Sequence, residues 1–413
     1  MNNNLKNSIW NTVGATANAF TSLIFNVIAT RVNSESDAGL FSYAFATATI
    51  LYVIGNYVIR PFQVTDISDK FADSDYVYFR LFSCAAMLIA AVGFCLVKGY
   101  SPHKSAVIIL IAVFRMIEAF WETFYAVTQR AGMLYRVGIS MTVKAAADVV
   151  VFAAVDMLTH NLIYAISAMI VLNLVLFAAI DIKDVRIAGF VRRPFGWGTV
   201  KCLLFGSFFT FVLTFLNTYL INVSRYAIDD KGDSRTQLVF GIIIIPATFM
   251  CLLGQYIIQP SLTTISDALR EKDFATLRLT VVRVSGAIPV IGVFVFAVAA
   301  FLEAPVLEII YGIPLAEYRS QMLIIIAGSV MYGLEVVISY ILIAFRCTGI
   351  QAAIFAVVSA VATAVSYRAV DTAGLTGASW VYFASMTALA LCLIAVLVLE
   401  MKKHKKLWNT LNG

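Results

Sequence analysis

The sequence predicts an all-α polytopic membrane protein with twelve transmembrane helices, built as two parallel six-helix repeats around a central cavity. Three observations lead there. The 413 residues are 61% apolar and 13% charged, with a mean hydropathy of +0.87, which excludes an ordinary water-soluble fold. The apolar residues fall in runs long enough to cross a bilayer as helices, which takes about 20 residues each. Short sequence matches recur at corresponding places in the two halves of the chain.

Runs bounded by charge, Pro or Gly place the first six spans near 9–30, 40–60, 79–97, 105–127, 137–157 and 161–180. The second six fall near 202–222, 237–258, 281–301, 321–344, 350–368 and 374–399. Strands of a membrane barrel would alternate apolar and polar positions, and stretches such as Leu375 to Leu399 are long and lack that alternation. Ala15-Thr16-Ala17 has the small-x-small form of a signal cleavage site but precedes the most apolar part of its run, so the first span is read as retained. The division is then a six-helix bundle over 1–180, a cytoplasmic linker over 181–201, and a second bundle over 202–413 with a basic cytoplasmic tail. The connections average about a dozen residues, too short for an appended domain of ordinary size, so the embedded part must carry the function.

Orientation follows from Lys and Arg, which cytoplasmic loops retain. With both termini cytoplasmic, that side holds 20 basic residues and the other holds 8, with Arg115 and Lys144 inside the membrane. The net charge of +6 is thereby topological. Lys402 to Lys406 reads as a juxtamembrane basic tail near anionic lipid, and no nucleic-acid partner is expected.

The second span ends Gly55-Asn56-Tyr57-Val58-Ile59-Arg60-Pro61 and the eighth ends Gly254-Gln255-Tyr256-Ile257-Ile258-Gln259-Pro260, identical at four of seven positions. Ile67-Ser68-Asp69 is answered by Ile265-Ser266-Asp267, one residue out of step, and Glu118 and Glu335 each lie fourteen residues before a glycine. Six is even, so the second half enters the membrane from the same side as the first. The repeats are parallel, a plan known among secondary transporters, and a substrate path is expected between them.

Polar residues inside the spans are the candidate site. Asn11, Asn18, Ser22 and Asn26 share one face of the first span, and Thr210, Thr214, Asn217, Thr218 and Asn222 lie largely on one side of the seventh. Such stripes avoid lipid. They serve either as hydrogen-bonded packing or as the lining of a wet cavity, and their occurrence in the leading helix of both halves favours the cavity. An unpaired charge at the membrane centre costs about 2.5 to 3.5 kcal/mol on the mild insertion scale. Arg115, Glu118 and Glu122 share a face of the fourth span, and Lys144 and Asp148 form an i,i+4 pair at similar depth in the fifth. This cluster either neutralises itself to hold two helices together or meets an anionic substrate with its basic members while its acids respond to protons or ions. Glu335 has no basic residue within four positions and is the better ion-coupling candidate, with Glu118 and Asp148 behind it. Asp156 lies near the far end of its span, where it can reach water.

Other chemistry is set aside. Cys84, Cys95, Cys202, Cys251, Cys347 and Cys392 lie in or beside apolar runs at no metal-ligand spacing and read as buried small apolar residues. His103, His160 and His404 are scattered, so neither a metal nor a Cys/His catalytic cluster is visible. No phosphate-cradling Gly-x-x-x-x-Gly-Lys run, nucleophile elbow or metalloprotease helix occurs. No cofactor is expected. The two-repeat plan points to a transporter and not an enzyme, while carboxylates alone leave a membrane glycosyltransferase open.

Lys6-Asn7-Ser8-Ile9-Trp10-Asn11, Ala29-Thr30-Arg31-Val32 and Ala38-Gly39-Leu40-Phe41-Ser42 resemble the opening of the Wzx-type polysaccharide flippases, members of the multidrug/oligosaccharidyl-lipid/polysaccharide exporter superfamily. The resemblance extends to the twelve-span plan. It implies translocation of an undecaprenyl-pyrophosphate-linked oligosaccharide of the O-antigen type from the cytoplasmic to the outer leaflet of the cell inner membrane, through a V-shaped cavity between the halves. It further implies membrane lipid, a polysaccharide polymerase and chain-length machinery as partners. Basic cavity residues of that family engage the pyrophosphate, and Arg115, Lys144, Arg31 and Arg225 are the candidates here, with Asn18, Asn26 and Asn217 beside them. Arg31 and Arg225 also suit interface anchoring at helix ends. The first span carries only Asn, Ser and Thr at mid-depth, unlike the related lipid II flippases, which place arginines there. A multidrug exporter of the same superfamily is the alternative, followed by a polysaccharide polymerase or ligase, for which the outer loops near 223–236 and 302–320 are short.

Overall fold

A computed structural model describes residues 3–65 and 70–411. The Ile67-Ser68-Asp69 side of one repeat match lies outside the described residues. The helices are α1 (Asn3–Val32), α2 (Glu35–Asn56), α3 (Ile59–Thr65), α4 (Asp73–Lys98), α5 (Pro102–Arg130), α6 (Leu134–Thr159), α7 (Leu162–Leu176) and α8 (Ile182–Ala188). They continue as α9 (Trp197–Gly206), α10 (Phe208–Lys231), α11 (Ser234–Ile243), α12 (Ile245–Ile258), α13 (Leu262–Glu271), α14 (Phe274–Tyr311), α15 (Arg319–Ala344) and α16 (Thr348–Leu411). No strand occurs among the described residues.

Nine helical stretches among the described residues are long and apolar enough to cross a bilayer, and the pair α9 and α10, bent by 53°, makes a tenth. The last two follow from chemistry. α5 is 29 residues long but carries Arg115, Glu118 and Glu122, so it is a span laden with charge. α16 is two spans, because Gly374 (φ 52°, ψ −129°) breaks it. A Cβ on Gly377 would stand 1.9 Å from the Ala369 carbonyl oxygen, whereas residues eight apart in a continuous helix are about 12 Å apart along the axis. The chain reverses there, and the spans number twelve, where the apolar runs placed them.

The chain forms two compact units, Met1–Phe215 and Leu216–Gly413. In the first, α1 packs on α6 and α2 on α5, that is, span one on five and two on four. In the second, α12 packs on α15, span eight on ten. There α10 joins the 348–373 segment through Tyr219 and Thr363, whose hydroxyls are 2.8 Å apart, and through Tyr367, which donates to Asp230 at 2.9 Å, so span seven meets eleven. The matched glycines have matched neighbours: a Cβ on Gly55 would lie 3.5 Å from Ala119, and one on Gly254 would lie 3.3 Å from Val336. Ala119 follows Glu118 and Val336 follows Glu335, so the sequence correspondence is one of packing.

The repeats diverge just past these glycines. Tyr57 and Val58 take left-handed φ values of 47° and 50° and turn the chain into α3, whereas Tyr256 and Ile257 stay in the helix. Left-handed backbone at a β-branched residue is strained, and here it turns the chain to begin α3, on which Arg60 lies.

The sixth span differs from expectation. α7 runs through a π-helical turn at Phe177–Asp181 into α8, so the boundary drawn at residue 180 falls inside a continuous helix. The connection proper is Gly189 to Gly196, and it is docked on the start of α4. Val191 N–H donates to Asp73 (3.0 Å), Ser74 N–H to the Val191 carbonyl (3.2 Å), and Arg193 N–H to Ser74 Oγ (2.7 Å). Cys84 and Cys95 are buried as expected, but Cys202 and Cys392 are exposed, because each sits on an outward helix face.

Candidate functional site

The charged residues of spans four and five converge on a cavity of about 210 Å³ in the first unit, lined by Asn18, Tyr52, Arg115, Glu118, Trp121, Glu122, Tyr125, Met141, Lys144 and Asp148. Helical periodicity explains part of this. Residues 115, 118, 122 and 125 recur every three or four positions and share one face of α5, as do 141, 144 and 148 on α6.

The pairing departs from the spacing. Lys144 pairs with Asp181, not with Asp148 four residues on. It also donates to the Tyr125 hydroxyl at 3.0 Å and stands 3.5 Å over the Trp121 ring. Asp181 is buried, and its second oxygen accepts from Ser140 Oγ at 2.7 Å. Asp148 instead accepts a hydrogen bond from Asn173 of α7, whose amide also donates to the Met169 carbonyl at 2.8 Å. The reason is reach: span six lies against spans four and five, and the wide turn at Phe177–Asp181 directs Asp181 inward.

Arg115 donates to Glu118 at 2.5 Å and lies 4.3 Å over the Tyr52 ring. Its Nε is buried with no hydrogen-bond partner. Glu122 does not join them. It accepts from Arg60 at 2.8 Å, and Arg60 also donates to Gln129 at 3.0 Å. Behind them Arg80, fully buried, donates to Thr123 Oγ1 (3.0 Å) and to the Gly55 carbonyl (2.6 Å), and has no carboxylate partner among the described residues. Arg60 and Arg80 fall at span ends and count among the 20 cytoplasmic-side basic residues of the sequence, yet both side chains are turned into the bundle.

The polar stripes behave unequally. Asn18 lines the cavity. Asn26 donates to the Ser22 carbonyl at 2.8 Å and Asn222 to the Thr218 carbonyl at 2.9 Å, so both are turned onto their own helices. Asn217 keeps a buried amide oxygen without a partner. Arg31 is exposed at the end of α1. Arg225 is buried in the second unit, 5.9 Å over the Phe240 ring, so neither belongs to the cavity. Asp156, expected to reach water, is fully buried and accepts from Asn33 at 2.7 Å. Glu335 is fully buried in α15 in the second unit, and neither of its oxygens has a hydrogen-bond partner.

The sequence reading missed Asp181, Asn173, Arg60 and Arg80. A signal for the first two existed: Asn173, Asp181 and Asp184 are spaced eight and three apart, a helical face running past the apolar run.

No family model matches the chain. A capsular polysaccharide biosynthesis protein, CapF, of Staphylococcus aureus is 23% identical over 177 residues, covering 43% of this chain and 44% of that protein. The chain thus matches less than half the length of that curated relative. Among solved structures, an inward-facing multidrug resistance MATE family transporter of the MOP superfamily superposes with a TM-score of 0.68 at 14% identity, over 96% of this chain and 99% of that one. The lipid II flippase MurJ in an inward closed conformation superposes at 0.67 and 14% identity, over 96% and 90%. The protein is a multi-pass α-helical membrane protein with the twelve-helix, two-repeat fold of the MATE transporter on which it superposes.

Proposed function

We propose that the protein flips an undecaprenyl-pyrophosphate-linked oligosaccharide from the cytoplasmic to the outer leaflet by alternating access, for surface polysaccharide synthesis. The observation that carries this reading is a membrane-embedded cavity whose cations Arg115 and Lys144 are each held by a carboxylate. Moving two phosphates past hydrocarbon is costly, and fixed cations in a polar cavity lower that cost. Glu118 is the one carboxylate on Arg115 among the described residues. A proton on Glu118 would loosen that pair and present a planar guanidinium, whose donors match phosphate oxygens. Asp148 is held by Asn173 and has no cation partner among the described residues, so the acids of the site outnumber the cations they hold and can exchange protons with the transport cycle. The partial likeness to a capsular polysaccharide biosynthesis protein and the fold shared with a lipid II flippase support a lipid-linked precursor as cargo.

Arg115→Gln should reduce surface polysaccharide by about tenfold or more, a loss of one charge-assisted hydrogen-bonding group, at normal abundance of folded protein, and Arg115→Lys should restore part of it. Lipid-linked oligosaccharide translocation in proteoliposomes and surface polysaccharide in cells are the readouts. If Arg115→Gln chiefly lowers folded protein, and adding Glu118→Gln restores both abundance and transport, the pair is structural and the reading fails.

A multidrug exporter is the second reading, favoured by the superposition on a MATE transporter. It requires loss of the gene to sensitise cells to cationic dyes while surface sugars stay normal.

Both termini are placed in the cytoplasm on the basic-residue asymmetry. In a cysteine-free background, Glu317→Cys should be labelled by an impermeant thiol reagent in intact cells and Lys403→Cys only after permeabilisation. Both side chains are exposed, so equal labelling in intact cells would overturn the orientation.

A further inference from the structure

A second cavity, of about 370 Å³, lies in the second unit where α14 ends and α15 begins. Glu303 and Arg319 both line it, with Phe301, Pro305, Ala316 and Met322. Both carboxylate oxygens of Glu303 are buried without a hydrogen-bond partner among the described residues. Arg319 is exposed at the cavity, donates to the Ala300 carbonyl at 2.6 Å, and pairs with no acid among the described residues. Pro305 has no N–H to give the carbonyl of Phe301, four residues back, so that carbonyl loses its helical donor. One cavity therefore holds a carboxylate that lacks a donor and, apart from it, a guanidinium that lacks an anion. An unrelieved buried carboxylate beside lipid is expensive.

The ligand that satisfies both is zwitterionic, with a primary ammonium for Glu303 and a phosphodiester for Arg319. The flanking helix surface says where it comes from. Val298, Phe301, Leu302 and Val306 are exposed, as acyl-chain-facing residues are. We propose that this cavity is a headgroup site for phosphatidylethanolamine, with the ammonium on Glu303, the phosphate on Arg319 and the acyl chains along α14. In the orientation proposed above it opens to the outer leaflet. The site is independent of the cargo and of the ion cluster in the first unit.

The purified full chain in detergent would be titrated with palmitoyl-oleoyl phosphatidylethanolamine, the phosphatidylcholine of the same chains, and free phosphoethanolamine, with bound lipid read by native mass spectrometry. Phosphatidylcholine carries the same phosphate but no N–H donor. The expected result is about tenfold tighter binding of the ethanolamine lipid, as for one charge-assisted hydrogen-bonded pair, with the margin lost in Glu303→Gln and overall affinity reduced in Arg319→Gln. Equal binding of the two lipids by the wild type overturns the proposal, as does an unchanged margin in Glu303→Gln, which would mean that Glu303 is simply protonated. Free phosphoethanolamine binding as tightly as the lipid overturns the lipid as the source. A diazirine-bearing phosphatidylethanolamine should crosslink the wild type within 298–323, which tests the site even if a variant fails to fold, and crosslinks confined elsewhere would refute it.

Discussion

Lys144→Met should cost the folded protein about 3–5 kcal/mol, because it strands the Asp181 carboxylate in the bundle with no cation. That is the usual consequence of removing one partner of a buried pair. Lys144 and Asp181 are both at least 95% removed from solvent at the side chain. Removing the partner as well reverses the sign of the problem. A buried ion pair replaced by apolar side chains of similar volume is often neutral or stabilising, so Lys144→Met with Asp181→Leu should recover most of the folded protein, measured as monodisperse protein and melting temperature in detergent. Lys144→Met with Asp148→Leu should not, since Asp148 is held by Asn173. Rescue by the second combination and not the first would show that the i,i+4 neighbour is the true partner. The rescued double variant should still fail to transport, because Lys144 also lines the cavity.

Glu335→Gln should abolish the stimulation of transport by an imposed pH gradient while leaving the protein folded. Glu335 is fully buried with no hydrogen-bond donor among the described residues. The nearby Tyr332 hydroxyl donates instead to Cys251 at 3.4 Å. Charge there costs at least about 2.5 kcal/mol on the mild insertion scale, so an ionised Glu335 needs a conformation that admits water or a cation. A group whose protonation differs between two conformations biases their equilibrium, and a proton gradient then drives the cycle. Glutamine keeps the shape and removes the titration. The comparison in proteoliposomes is wild type, Glu335→Gln and Glu118→Gln, each with and without the gradient. Stimulation lost in the first variant and kept in the second is the expected pattern, and equal stimulation of wild type and Glu335→Gln would refute the role.

The fold was legible because bilayer thickness sets a length and an apolarity that few loops imitate. Even α5, which fails a plain apolar test, was readable as the run 105–127, and the long α16 was readable as two runs, 350–368 and 374–399, because charge and glycine bound them. The site was half legible. Arg115 with Glu118 lies on one helix three residues apart, a distance that sequence spacing states directly. Lys144 with Asp181 depends on a π-helical turn between helices, and Arg60 with Glu122 depends on left-handed Tyr57 and Val58. Neither deviation is spelled out by residue type: Val is among the residues least suited to that backbone, and the Gly55 and Asn56 that could have taken it stay in the helix, leaving the left-handed positions to Tyr57 and Val58. Arg80 was hidden differently. It lies near the end of a span, where a snorkelling arginine would be the ordinary expectation, and only the Thr123 hydroxyl and the Gly55 carbonyl explain why it turns inward.

The seventh span carries a consequence for how such a chain could have arisen and how it could be cut. By sequence order it opens the second repeat, yet α9 packs on α4, the Tyr57 hydroxyl donates to the Leu204 carbonyl at 3.3 Å, and the Tyr57 and Phe211 rings stack at 4.4 Å. Everything up to Phe215 is thus lodged in the first unit. The line along which an ancestral gene would have been duplicated and the line along which the folded chain divides are therefore offset by the stretch from Trp197 to Phe215, about five helical turns. A strap of this kind works like a swapped segment within one polypeptide. Two fragments split at the Gly189–Gly196 connection would each be incomplete, the first lacking its strap and the second carrying a tail that belongs elsewhere. Reassembly of such fragments would be templated by that tail, much as a donated strand templates a fibre.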